Sequence, residues 1–271
     1  MPATKQQPKE MLPIFTKGIN GRLCLKPLLQ VVFENLYSAG FREFNFITGR
    51  GKRSIEDHFT VDNDFLRYLE DRNSSESAQE LKAFYEKIRR SSIIFINQAD
   101  PKGFGDAVHC AKLVTGEKPF LVHAGDDLIV SKRNRYLSDL IRVFEDNDAQ
   151  AVFCVQKVSD PTKYGVVVGE KVARNVYLVK KVIEKPSVSP SNIAIVAVYA
   201  FAPEIYEAIE ETPPDARNEV QLTNAIQWLI DKDCRVFALE LGPLVKRIDI
   251  GNPASYFDAL NLVAKQTNSL Q

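Results

Sequence analysis

The chain has 271 residues, 45% of them hydrophobic, which is enough to bury a sizeable core and excludes a disordered or fibrous protein. Lysine plus arginine and aspartate plus glutamate each number 35, so no net field draws the chain to nucleic acid or anionic lipid. Apolar runs stay short of the ~18 residues of a membrane span, and the opening MPATKQQPKEML has no apolar signal core, so a cytoplasmic chain free of nucleic acid and membrane is expected.

In chain order, Leu28 to Ala39 repeats apolar residues at helical spacing and stops at Gly40, a preferred left-handed cap. Phe44, Phe46 and Ile47-Thr48 predict a strand closed by Gly49. The Leu-, Glu-, Lys- and Arg-rich stretch from Asp64 to Arg90 predicts helix, broken in two by DRNSSES at 71–77, and SIIFIN at 92–97 predicts a buried strand. Gly103-Phe104-Gly105 opens a helical stretch to Leu113, PFLVHAG at 119–125 predicts a strand, and Leu137 to Glu145 predicts a helix. After AVFCVQKV at 151–158, two apolar runs bracket the polar KVARN and predict an antiparallel hairpin. NIAIVAVYAFA at 192–202 predicts a long central strand. Pro203 starts a helix, Glu219 to Asp231 forms another, RVFALEL and VKRIDIG add strands, and Ala254 to Lys265 is helical. With no repeat or linker, the pattern predicts one α/β domain over 1–271, with a mixed, mostly parallel central sheet, helices on both faces and a small antiparallel insertion.

In such sheets ligands sit beyond the carboxyl ends of strands. Asp126 and Asp127 follow the PFLVHAG strand, and Asp249 lies in RIDIG. Carboxylates from two strand ends are a natural seat for Mg²⁺, although a turn Asp and a capping Asp are the commoner reading of the residues alone. Residues 1–53 hold nine Lys or Arg against three Glu, and Lys9 stands in a proline-stiffened segment: either a solvated basic face or a fixed phosphate-binding ammonium. Gln98 and the Gly103 loop, between a strand and a helix, are placed for a nucleobase edge or a phosphate, or are merely polar loop. Glu184 and Lys185 offer a carboxylate for hydroxyls and an ammonium for phosphate, or a surface ion pair. P-loop, GxSxG and HExxH motifs are absent, and His58, His109 and His123 are isolated. Cys24, Cys110, Cys154 and Cys234 have no CxxC pairing and read as buried thiols.

Taken in order, PATKQQPKEMLPI at 2–14, TGRGKRSIEDHF at 48–59, NQADPKGFGDAVHCA at 97–111, GDD at 125–127, YGVV at 164–167, EKP at 184–186, PSNIAIVAVYAFAPEI at 190–205 and NEVQLT at 218–223 make the chain resemble the UTP–glucose-1-phosphate uridylyltransferases, within the sugar-1-phosphate nucleotidyltransferase superfamily. The resemblance implies a Rossmann-like nucleotidyltransferase fold, a homodimer or homotetramer, and Mg²⁺-dependent conversion of UTP and glucose 1-phosphate to UDP-glucose and pyrophosphate. It implies that Lys9 contacts phosphate and that Asp126 and Asp249 hold the metal. It further implies that Gln98 and Gly103 recognise uracil, while Gly165, Glu184 and Lys185 hold glucose and its phosphate. TGRGKRSIEDHF favours UTP over the dTTP of the thymidylyltransferases. The family pattern has an apolar strand and a GxGTR-like loop before PATK, so an N-terminally incomplete chain is expected, the other reading being a non-catalytic sugar-nucleotide-binding relative without the triphosphate cradle. The stretch KGINGRLCLKP at 17–27 is longer than the family's usual turn and has no role assigned by sequence.

Overall fold

A computed structural model describes residues 7–72 and 75–268, without the side chains of residues 75, 249 and 262–268. A 3₁₀ turn at Lys9–Met11 leads into β1 (Pro13–Lys17) and then β2 (Leu23–Pro27), paired antiparallel from Pro13↔Pro27 to Lys17↔Leu23. The unassigned 17–27 stretch is thus a β-hairpin, and Gly21 at φ 78° supplies the left-handed residue its turn needs. Next come α1 (Leu28–Ser38), β3 (Glu43–Thr48), α2 (Arg53–His58), α3 (Asn63–Asp71), α4 (Ser75–Arg89) and β4 (Ser92–Asn97). Asp62 caps α3 by accepting hydrogen bonds from the Asp64 and Phe65 amides. The chain continues through α5 (Phe104–His109), α6 (Lys112–Thr115), β5 (Phe120–His123), β6 (Asp127–Val130), α7 (Arg135–Asp146), β7 (Ala151–Lys157), β8 (Gly165–Ala173), β9 (Val176–Glu184) and β10 (Ile193–Phe201). It finishes with α8 (Glu204–Glu210), α9 (Leu222–Asp231), β11 (Val236–Glu240), β12 (Lys246–Asp249) and α10 (Pro253–Asn268). Among the described residues, no helix is long and apolar enough to cross a membrane, and none of the four cysteines is in a disulfide.

Two compact units emerge. The first comprises Met1–Phe95, Gly125–Val130 and Arg247–Gln271. Phe33 is its centre: the rings of Phe44, Phe59 and Phe84 lie 4.7, 5.3 and 6.0 Å away, the latter two edge-on, and each fully buried ring is worth ~1.5–3 kcal/mol. A second cluster joins Ile14, Leu28, Val32, Leu128, Ile248 and Ile250, so apolar contact clamps β6 beside its partner strand β12.

The second unit, Ile96–Ala124 and Ser131–Lys246, is built on a six-stranded sheet of order β5-β10-β7-β11-β9-β8. Ala151 to Val155 are buried on both sides, as in a central strand: Phe153 and Val155 join the cluster under α8 and α9, while Val152 and Cys154 face the other way and α7 also packs on β7. The sheet is mixed as expected, but the expectation of a mostly parallel one is corrected: among the described residues, β7 with β11 is its one parallel pairing. Strand–helix alternation does set β5 and β7 in one direction, yet β10, far later in the chain, inserts between them antiparallel to both. The predicted antiparallel hairpin is present as β8 and β9. It extends the same sheet through β9 on β11, and a tight hairpin can only pair antiparallel.

Candidate active site

In the first unit, the 3₁₀ turn is closed by the Met11 amide donating to the Pro8 carbonyl at 2.9 Å, which sends Lys9 and Glu10 apart. Lys9 forms an ion pair with Asp126, and Glu10 Oε1 takes the Lys52 ammonium at 2.9 Å. A Cβ on Gly125 would lie 3.3 Å from Glu10 Cγ and 3.1 Å from Leu29 Cδ1, so the PKE segment packs closely on the GDD turn and a side chain there would crowd it. The Asp126 carbonyl accepts the Ile250 amide at 3.4 Å, which sets the backbone of Asp249 beside Asp126. The Asp249 side chain lies outside the described residues. The second aspartate of GDD has another role: Asp127, 3% exposed, takes Arg247 Nε at 2.9 and 2.7 Å on its two oxygens.

In the second unit, Gln98 Nε2 donates to Asp106 Oδ2 at 2.6 Å and, more weakly, to the Gly103 carbonyl at 3.4 Å, which fixes the side chain's orientation. Gly103 has φ 103°, and a Cβ there would meet the Val220 carbonyl oxygen at 2.8 Å. The Val220 amide donates to the Lys102 carbonyl at 2.7 Å and the Gly105 amide to the Val220 carbonyl at 2.9 Å, so this loop is laced to the NEVQLT segment. Gly165 and Glu184 are register partners across β8 and β9. Glu184 Oε2 accepts the Thr223 hydroxyl at 2.7 Å, and Oε1 lies 3.3 Å from the Lys185 ammonium. Lys185 adopts φ 40° just past the strand, its amide donating to the Tyr164 carbonyl at 3.1 Å.

The eight residues singled out from sequence therefore fall into three groups: Lys9 with Asp126 and the Asp249 backbone, Gln98 with Gly103, and Gly165 with Glu184 and Lys185. His123, at the end of β5, has Nδ1 2.8 Å from the Ala124 carbonyl and Nε2 near the Tyr136 hydroxyl. Sequence reasoning left Glu10, Lys52, Arg247 and Thr223 unnoticed. Their signal was present, since Lys52 and Thr223 lie inside TGRGKRSIEDHF and NEVQLT, but what they touch is set by distant segments.

Among the described residues, no three His, Cys, Asp or Glu side chains converge to hold a metal by themselves. A pair of carboxylates suits Mg²⁺, which takes one or two of them and leaves its other positions to water and phosphate. Asp126 fits that chemistry: its donors are hard oxygens, and it already faces a cation, the Lys9 ammonium.

The model of the nucleotidyl transferase family matches residues 1–266. The UTP–glucose-1-phosphate uridylyltransferase of Bacillus subtilis is 35% identical over 278 residues, covering 100% of this chain and 88% of the relative. The chain belongs to the UTP–glucose-1-phosphate uridylyltransferase family of nucleotidyl transferases. Solved structures agree with this family fold. An apo UDP-glucose pyrophosphorylase superposes with a TM-score of 0.87 at 31% identity, covering 98% of this chain and 93% of the other. A UDP-glucose pyrophosphorylase complexed with UDP-glucose gives 0.80 at 30% identity, covering 98% and 94%. As a uridylyltransferase-family member, the chain carries its charged candidates as carboxylates and ammoniums rather than a Ser–His or Cys–His pair. That is the equipment for transfer between phosphates without a protein nucleophile.

Proposed function

We propose that the protein transfers the uridylyl group of UTP to glucose 1-phosphate, giving UDP-glucose and pyrophosphate. The observation that carries this reading is the Lys9–Asp126 pair, set where the GDD and RIDIG backbones meet, in a chain that aligns with 88% of the named Bacillus subtilis enzyme. A phosphate oxygen of the sugar ester attacks the α-phosphorus in line, and pyrophosphate leaves. The protein's task is to bring two anions together and stabilise the leaving charge. Lys9 presents an ammonium to phosphate on a short, braced turn. Gln98 and the Gly103 loop recognise uracil, and Gly165, Glu184 and Lys185 hold the glucose and its phosphate. Asp126 and Asp249 hold Mg²⁺, which when bound offsets phosphate charge.

Formation of UDP-glucose from UTP, glucose 1-phosphate and Mg²⁺ tests the proposal, with release of pyrophosphate as the readout. Asp126→Asn should lower kcat ~100-fold or more while melting at the wild-type temperature. Turnover that survives this substitution, or UDP-glucose binding with no turnover in the unsubstituted protein, would overturn the assignment.

A further inference from the structure

Glu184 is held by more than its strand. Thr223, the second residue of α9 and 7% exposed, donates its hydroxyl to Oε2 at 2.7 Å. The helix is tied to the same strand by Gln227, whose Oε1 accepts the Val182 amide at 2.8 Å. A Cβ at position 165 would lie 3.0 Å from Thr223 Oγ1 and 3.2 Å from Glu184 Oε2, so the hydroxyl–carboxylate pair is packed against a glycine that leaves it room.

A glutamate side chain has three torsions, and the Lys185 ammonium 3.3 Å from Oε1 pulls its carboxylate toward a neighbour that is itself half exposed. Thr223 opposes that pull. Its β-branched side chain is stiff at χ1, so a hydroxyl fixed by a buried helix turn sets the plane of the carboxylate. The remaining lone pairs then point in one direction.

We infer that Thr223 is a positioning residue for sugar recognition: its hydroxyl holds Glu184 in the orientation that receives the hydroxyls of glucose and keeps it from collapsing onto Lys185. This deepens the proposed function and rests on the role given there to Glu184.

Isothermal titration with UDP-glucose and with UDP, alongside steady-state kinetics, provides the test. Thr223→Val keeps the shape and removes the hydroxyl. It should weaken UDP-glucose binding and raise KM for glucose 1-phosphate about tenfold, with affinity for UDP and KM for UTP changed less than about twofold. Thr223→Ser restores the hydroxyl and should behave as wild type. Should Thr223→Val not fold, Thr223→Ala carries the same comparison. Unchanged UDP-glucose affinity in the hydroxyl-free variant overturns the inference. So does a Thr223→Ser protein as impaired as Thr223→Val, since that outcome assigns the effect to the lost methyl. Glu184→Gln separates the two layers: if it leaves UDP-glucose affinity intact, the sugar-binding role of Glu184 fails, whereas a loss there with a neutral Thr223→Val removes only the role of Thr223.

Discussion

Asp126 and Asp127 are chain neighbours with different partners. Asp127 is buried against Arg247, while Asp126 meets Lys9 on the turn. An apolar strand followed by two aspartates reveals that at least one carboxylate reaches the rim. Which one does so depends on Arg247, 120 residues away, and no local pattern contains that. Gly103 is similar. Its place in a GxG loop is visible in the sequence, but the reason for it, the Val220 carbonyl where a Cβ would go, is not. Gly103→Ala combines a positive φ with that clash and should cost ~1–3 kcal/mol in stability. If the loop recognises uracil it should also raise KM for UTP more than KM for glucose 1-phosphate, which melting curves and initial rates will show.

Two groups of charges tie secondary-structure elements together. Lys26 on β2, with a side chain 9% exposed, lies 3.1 Å from Glu34 of α1 and 3.1 Å from Glu80 of α4, and Lys87 adds a 3.0 Å contact to Glu34. Gln30 continues the chain, donating to Glu34 and accepting from His58 Nε2 at 3.0 Å, while the His58 ring stacks on Phe84. Burial pushes the His58 imidazole below its ordinary value of 6.5, against a smaller upward pull from Glu34. Burial would raise the Glu34 carboxyl, but the Lys26 and Lys87 ammoniums outweigh it and hold the group below its ordinary 4.5. Both groups bind protons more readily in the unfolded chain, so both make stability fall as pH falls: His58 from 6.5 downward toward its lower folded value, Glu34 from 4.5 downward. Thermal unfolding by circular dichroism should therefore show Tm dropping between pH 7.5 and 5, and His58→Gln should remove most of that slope. The second group is Arg247–Asp127, joining β12 to β6. Arg247→Met takes the guanidinium from a buried carboxylate and should cost ~3–5 kcal/mol, whereas Arg247→Met with Asp127→Leu should recover most of it, as denaturant titration can verify.

At the scale of the molecule, the order and kind of most elements were legible because apolar spacing, Gly40, Pro203 and the polar KVARN are local signals. Strand direction was not: β10 enters between β5 and β7 through long-range pairing that sequence alternation does not encode. The short strand β6 also escaped notice, because its four residues follow directly on the Asp126 turn and its partner β12 lies far along the chain. Family motifs marked the candidate residues, while their supports, Thr223 and Arg247, became visible only in three dimensions. Preference for the nucleotide is a whole-enzyme property, and UTP offered against equal dTTP should be consumed in clear excess. Comparable use of both would move the chain to the thymidylyl branch.

The first unit is assembled from three separated stretches, and its Ile14 and Leu28 cluster is completed only by Ile248, Ile250 and Ala259. The Tyr256 hydroxyl reaches back to the Pro13 carbonyl across 243 positions. During synthesis, β1, α1 and β6 must therefore leave the ribosome with their apolar faces open and wait for β12 and α10 before they can close. A translation pause or truncation before Ile248 would leave that surface exposed to chaperones, and pulse proteolysis of stalled nascent chains should find the β1 region protected only after α10 has emerged.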